Sequence, residues 1–429
     1  MGEQLALLGG PKAIQHAQEM SDASAWPRFD AEERAAVLAA MEAKDVYAEN
    51  QAFERDFAAY TGARFALAHN NGTSALHAAY FAVGVQPGDE VLAPAYTWHL
   101  QVNQILALHA IPVFCDVDPY TGCIDPSDAE KKISPRTRAI AVLHPFGAVA
   151  PMDEILAVAR AHGLAMVEDC SHAHGATYRG RKVGTLGDVG CYSLQASKLM
   201  TAVEGGVLIT NSEECYARAC LLGHYERLPG LQQDAYSKYH QPNKEQAPAC
   251  FGFKYRMHPF AAALARAQLK HLDAWQAVRR QNMGYLTRRL AEVGEGILVP
   301  PPETPGAERT WLNYICLYHA QADGVPRERF IEALQAEGLP ATGGRTGYLP
   351  VYWNPLYQER RMWAEGCPFD APYVSRRVVY QRGMCPVAES YWRRTVGLPV
   401  LHRPVSQQLL DEMVEAVAKV VRQIGSLRS

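Results

Sequence analysis

Leu164-Ala165-Met166-Val167-Glu168-Asp169 is an apolar run that closes on two acids. A short apolar run of this kind reads as a strand buried on both faces, the kind found in parallel sheets. Just before it, residues 152–162 read as a helix. The same alternation extends outward on both sides. Residues 54–60 are amphipathic and stop at Gly62. Residues 74–83 carry Ala75, Leu76, Ala79 and Val83 at helical spacing and end at Gly84. Pro87-Gly88-Asp89 is a turn. Strands are expected over 91–93, 111–117, 139–143 and 206–210, and helices over 100–109 and 213–222. The predicted fold is therefore α/β, a mostly parallel central sheet flanked by helices.

After about residue 225 the texture changes. Residues 228–249 are polar and irregular and predict a long loop, and 261–290 predict one long helix or two joined ones. A strand over 310–318, helices over 328–337 and 407–424, and a Pro/Tyr/Trp-rich stretch over 348–357 read as a smaller α+β domain whose loops can close over the large sheet. The expected division is 1–280, an N-terminal segment with the large domain, and 281–429, a small C-terminal domain.

With 429 residues, 48% of them hydrophobic, the chain can bury a large core. Its net charge of -3 offers no basic field for nucleic acid. The ten cysteines form no Cys-x-x-Cys pair, which fits free thiols in a reducing cytosol rather than a metal site. The N-terminus has neither the charge pattern of a signal peptide nor the apolar length of a membrane anchor. A cytoplasmic protein without membrane partners is expected.

Asp169 stands where ligands bind, beyond the carboxyl end of a parallel strand. A carboxylate there can hold a pyridine nitrogen protonated, although strand-end acids are as often merely solvated. Gly72-Thr73-Ser74, about 100 residues earlier, opens an apolar helix. Its backbone N–H groups and hydroxyls suit a phosphate dianion; Thr and Ser are also ordinary helix caps. Lys198, about 30 residues after Asp169, ends Tyr192-Ser193-Leu194-Gln195-Ala196-Ser197-Lys198 and precedes the glycine-rich Glu204-Gly205-Gly206. A deprotonated lysine forms a Schiff base with an aldehyde, and once released it can shuttle a proton. Most lysines are surface charges; the order of the three features outlines a site for pyridoxal 5′-phosphate (PLP). Around them, Ser193 can add a phosphate hydroxyl, His172 can hydrogen-bond the cofactor's phenolic oxygen, and Trp98 can stack on its ring. Each of these has an ordinary structural reading as well.

Together these segments resemble the DegT/DnrJ/StrS family of PLP-dependent sugar and cyclitol aminotransferases, nearly end to end. The resemblance is carried by Leu8-Gly9-Gly10, by Asn71 to Leu76, by Gly88 to Trp98, by Glu168 to Ala176, and by the lysine block with Glu204-Gly205-Gly206. It implies the fold type I aminotransferase architecture and a homodimer with shared active sites. Family members often have Gln where His172 stands. Many have Asn within the motif that reads here Gly252-Phe253-Lys254-Tyr255-Arg256-Met257, and that Asn reaches the partner's phosphate; Lys254 is the candidate for that role. The dehydratase branch has His in place of the lysine, so Lys198 argues against it.

Ser193 to Lys198 and Cys385-Pro386-Val387-Ala388-Glu389 look like the branch acting on free rings, the inosose aminotransferases and aminohydroxybenzoate synthases, where L-glutamine is a common donor. Tyr348-Leu349-Pro350-Val351-Tyr352 falls where the substrate loop should be. The expected activity is transfer of an amino group from L-glutamine or L-glutamate to a keto-cyclitol or keto-sugar, in a natural-product, antibiotic or cell-surface sugar pathway. Two alternatives are a nucleotide-linked keto sugar as substrate, and a PLP-binding partner subunit without turnover.

Overall fold

The apolar runs of the first half become strands of one sheet. The computed structural model describes residues 4–230, 252–319, 324–344, 348–363 and 366–428. Its first strands are β1 (Phe65–His69), β2 (Glu90–Pro94), β3 (Ile111–Cys115), β4 (Thr137–Leu143) and β5 (Ala165–Asp169). A short hairpin follows, β6 (Thr177–Tyr178) and β7 (Arg181–Lys182), then β8 (Val189–Ser193) and β9 (Gly206–Thr210). Seven of these form a sheet in the order β1-β9-β8-β5-β4-β2-β3. From β8 to β3 every pairing is parallel, whereas β9 runs antiparallel to both β8 and β1.

Two antiparallel steps restore direction, so β1 points the same way as β8. The carboxyl ends of β1, β2, β5 and β8 therefore open on one edge of the sheet. Helix Gly72–Ala82 starts there, and nine of its eleven residues are buried. A helix apolar on so many sides belongs inside a large domain.

Most helices fall within a few residues of the sequence expectation. The helix expected over 54–60 is longer, Ala48–Thr61, and is closed by Gly62 in the left-handed region. Residues 261–290 form one unbroken helix, Pro259–Val293. The strand expected over 310–318 is shorter. The N–H groups of Thr310 and Leu312 bond instead to the carbonyls of Gly147 and Phe146, at 3.1 and 3.3 Å, tying this stretch to the loop after β4. Residues 225–230 form a 3-10 turn, and the rest of the expected loop, 231–249, lies outside the described residues.

The second half builds a four-stranded antiparallel sheet. Its strands are β10 (Leu298–Val299), β12 (Tyr314–Tyr318), β13 (Thr342–Gly343) and β14 (Thr395–Leu398), in the order β10-β12-β14-β13; β11 (Ala307–Glu308) joins the β6–β7 hairpin. Helices Arg327–Ala336 and Gln407–Arg422 supply Phe330, Leu334, Val417 and Val421 to its core. Leu5, Ile14, Met20 and Ala23 pack into this same core. The buried Glu337 carboxylate fastens that N-terminal segment, accepting the Ala6 and Ala13 N–H groups at 2.8 and 3.0 Å and pairing with Lys419 at 3.0 Å.

Candidate active site

The loops leaving the common sheet edge enclose a cavity of about 510 Å³. Gly72, Thr73, Trp98, Asp169, His172, Ser193 and Lys198 all line it. Seven of the eight residues singled out in the sequence are thus brought together.

The phosphate end is built by helix Gly72–Ala82. Capping falls to Asn71, whose side chain accepts the Ser74 N–H at 2.8 Å, while the Ser74 hydroxyl donates to Asn70 at 2.6 Å. Gly72 and Thr73 are therefore not the cap and occupy the first turn, where N–H groups lack helical partners. A Cβ on Gly72 would lie 2.6 Å from the Ser193 Cβ, so glycine is what lets Ser193 approach the helix start. The Ser193 oxygen accepts the Gln195 N–H at 3.3 Å, which leaves its proton to donate.

Asp169 ends β5, paired with Leu143 on one side and Cys191 on the other. Burial pushes its carboxyl above the ordinary range; hydrogen bonds from Ser171 and the charge of Lys198 pull against that. The Ser171 N–H donates to it at 3.0 Å, and the Ser171 oxygen accepts the Ser193 N–H at 3.0 Å. One serine therefore couples the acid's loop to the end of β8. Lys198 follows on a turn closed by its own N–H to the Gln195 carbonyl at 2.8 Å.

His172 is fully buried with both ring nitrogens engaged. Nδ1 accepts the Phe146 N–H at 3.2 Å, which makes Nε2 the protonated nitrogen, and Nε2 donates to the Tyr348 hydroxyl at 2.9 Å. To donate to a cofactor oxygen, as expected from the sequence, His172 must give up Tyr348. Trp98 is 37% exposed and lies 5.5 Å from the Tyr348 ring, centroid to centroid. The two make an aromatic wall at the mouth.

Lys254 lies elsewhere. It is exposed on a separate groove with Asn70, Val203 and Arg256, which meets the main cavity at Glu204. Sequence reasoning missed Ser171 as the link between loops, although it sits inside a quoted motif. It also missed Gln101, buried in the cavity wall. Its Oε1 accepts the Thr97 hydroxyl at 2.5 Å and its Nε2 has no partner among the described residues. Nothing in the spacing marks Gln101, because it occupies an ordinary apolar-helix position.

The donor set fits a phosphorylated pyridine. Backbone N–H groups and two hydroxyls gather at a helix start, a buried acid lies at the strand end, and an amine stands on the neighbouring loop. By contrast, His144, Glu168 and Cys170 lie close enough to hold a metal, but the Glu168 carboxylate already accepts the N–H groups of Gly184, Leu186 and Gly187. That cluster is a satisfied core network.

The model of the DegT/DnrJ/EryC1/StrS aminotransferase family matches residues 27–422. The L-glutamine:2-deoxy-scyllo-inosose aminotransferase of Streptoalloteichus tenebrarius is 37% identical over 382 residues, 88% of this chain and 87% of that relative. The GDP-perosamine synthase of Caulobacter vibrioides is 36% identical over 334 residues, 77% of this chain and 85% of that one. The crystal structure of 3-amino-5-hydroxybenzoic acid synthase superposes with a TM-score of 0.76 at 29% identity, covering 93% of this chain and 98% of that chain.

Proposed function

The chain belongs to the DegT/DnrJ/EryC1/StrS aminotransferase family, and from that premise we propose that it moves an amino group from L-glutamine or L-glutamate to the ketone of a free cyclitol or sugar ring. It is a PLP-dependent aminotransferase. The observation that carries the reading of its site is the single cavity shared by Gly72, Thr73, Asp169, Ser193 and Lys198.

Bound there, PLP supplies an aldehyde carbon for amine exchange and a ring that draws electrons from the reacting carbon. The Gly72 and Thr73 N–H groups, with the hydroxyls of Thr73 and Ser193, hold the phosphate. Asp169 keeps the pyridine nitrogen protonated, a role its burial strengthens because a buried carboxylate needs a cation. Lys198 anchors the cofactor and, when released, carries a proton at its Nζ. Trp98 would bound the cofactor ring, and His172 would offer its Nε2 proton to the phenolic oxygen in place of Tyr348. The proposal includes a cytoplasmic homodimer in which Lys254 reaches the partner's phosphate, and a division into units 1–280 and 281–429, spanned by helix Pro259–Val293.

A second reading, a nucleotide-linked keto sugar as acceptor, is favoured by the similarity to GDP-perosamine synthase. A panel of acceptors separates the two. With L-glutamine as donor, an inosose should be aminated at least tenfold more efficiently than a nucleotide-linked 4-keto sugar. The reverse order would overturn the free-ring proposal while leaving the aminotransferase intact.

A further inference from the structure

One face of helix Pro259–Val293 reaches under the active site. Gln276 is buried and donates its amide N–H to the His174 carbonyl at 2.8 Å, on the loop that follows Asp169. One turn on, Arg279 is also fully buried. Its Nε donates to His402 Nδ1 at 2.9 Å, and neither terminal nitrogen has a hydrogen-bond partner among the described residues. Its guanidinium lies over the Trp26 ring, 4.4 Å from the centroid. The Trp26 indole N–H in turn donates to the main-chain carbonyl of Lys198 at 2.7 Å. Trp275 meets the Trp26 ring edge-on at 5.2 Å, and His402 lies 5.0 Å from it.

A buried guanidinium without a carboxylate is costly to fold, and burial with the like charge of Arg28 lowers its pKa to about 9. An apolar side chain would fill the same volume more cheaply. What Arg279 adds is a cation held against an indole, an interaction that strengthens when water is excluded. That indole's one donor is spent on the residue after which the cofactor loop turns. We propose that Arg279 and Trp26 are positioning residues for Lys198, and that Gln276 does the same for the Asp169 loop, so that one helix face sets the separation of amine and acid. This rests on the assignment of Lys198 as the cofactor lysine.

The test is the rate at which apo protein captures PLP, followed by growth of its visible absorption band, together with the melting temperature. Trp26→Phe keeps the ring and the cation contact but removes the N–H. It should melt within a few degrees of the parent yet capture PLP about tenfold more slowly, the loss expected from one net hydrogen bond. Its kcat should fall by a similar factor with the donor KM little changed. Arg279→Met should slow capture similarly or more, and Arg279→Lys should recover most of the rate. Wild-type capture and kcat in Trp26→Phe would overturn the inference, as would Arg279→Met and Arg279→Lys behaving alike in folded protein. Lys198→Ala is run beside them. A parent band that persists in that variant would remove the cofactor assignment itself, a failure distinct from that of the positioning residues.

Discussion

Asp169 carries opposing demands. Burial raises its pKa, while Ser171 and Lys198 pull it down. The folded apo chain thus holds this proton more tightly than the unfolded chain does, and its contribution to stability declines as pH rises through the interval above the ordinary carboxyl value. Asp169→Asn removes that penalty, so the apo variant should melt higher than the parent at neutral pH. It should also lose at least a hundredfold in amino transfer, because the pyridine nitrogen loses its ionic partner. Calorimetry and steady-state rates check the two halves; an Asn variant with near-normal rates would mean that another acid serves the ring. Asp169, Lys198 and Thr73 were legible in the sequence because each stands next to a buried strand or helix whose pattern fixes where the chain turns. The Tyr348 hydroxyl on His172 was not, since 176 residues separate them and neither local sequence refers to the other. Trp26 was hidden for the same reason, 172 residues from Lys198.

The decisive element is the start of helix Gly72–Ala82 against the end of β8. Gly72→Ala places a Cβ 2.6 Å from the Ser193 Cβ. It should cost about 1–3 kcal/mol of stability, as overpacked sites do, and should raise the PLP dissociation constant at least tenfold. Denaturant melts and a cofactor titration measure both, and an Ala variant that binds PLP normally would show that the cradle is wider than described. Alternating helix and strand signals announced most of the elements around this point. They did not announce that β9 inserts antiparallel between β1 and β8, because strand order depends on long-range pairing rather than local pattern. Nor did they show that 310–313 would leave the strand expected there. The N–H groups of Thr310 and Leu312 are claimed by carbonyls of the loop after β4, a tertiary contact that overrides local propensity.

At the scale of the whole molecule, burial holds His77 down to about 4 and both His174 and His402 down to about 3, while it pushes Glu54 up to about 7. A depressed histidine gives stability that is complete above pH 6.5 and is lost as pH falls through 6.5 toward its folded value; the raised carboxyl acts in the opposite sense between 7 and 4.5. The lowered histidines, His69 and His224 among them, outnumber the raised carboxyls of Glu54, Asp169 and Glu303, so the melting temperature should fall steadily from pH 7 to pH 5. A flat or rising profile would contradict the buried neutral state of these rings. The proposed homodimer with shared sites makes a second prediction. Dimers mixed from Lys198→Ala and Lys254→Ala chains should regain part of the activity that each homodimer lacks, because one of the two sites recovers both residues; no recovery would remove Lys254 from the partner's phosphate. Among the described residues no helix is long and apolar enough to cross a membrane. Whether this aminotransferase carries its PLP on Lys198 is read from the visible absorption of PLP-loaded protein before and after L-glutamine or L-glutamate, beside Lys198→Ala. The parent should show a visible band, absent from the variant, that bleaches when the donor is added. Failure of any Lys198-dependent band to form with PLP in excess would contradict that assignment.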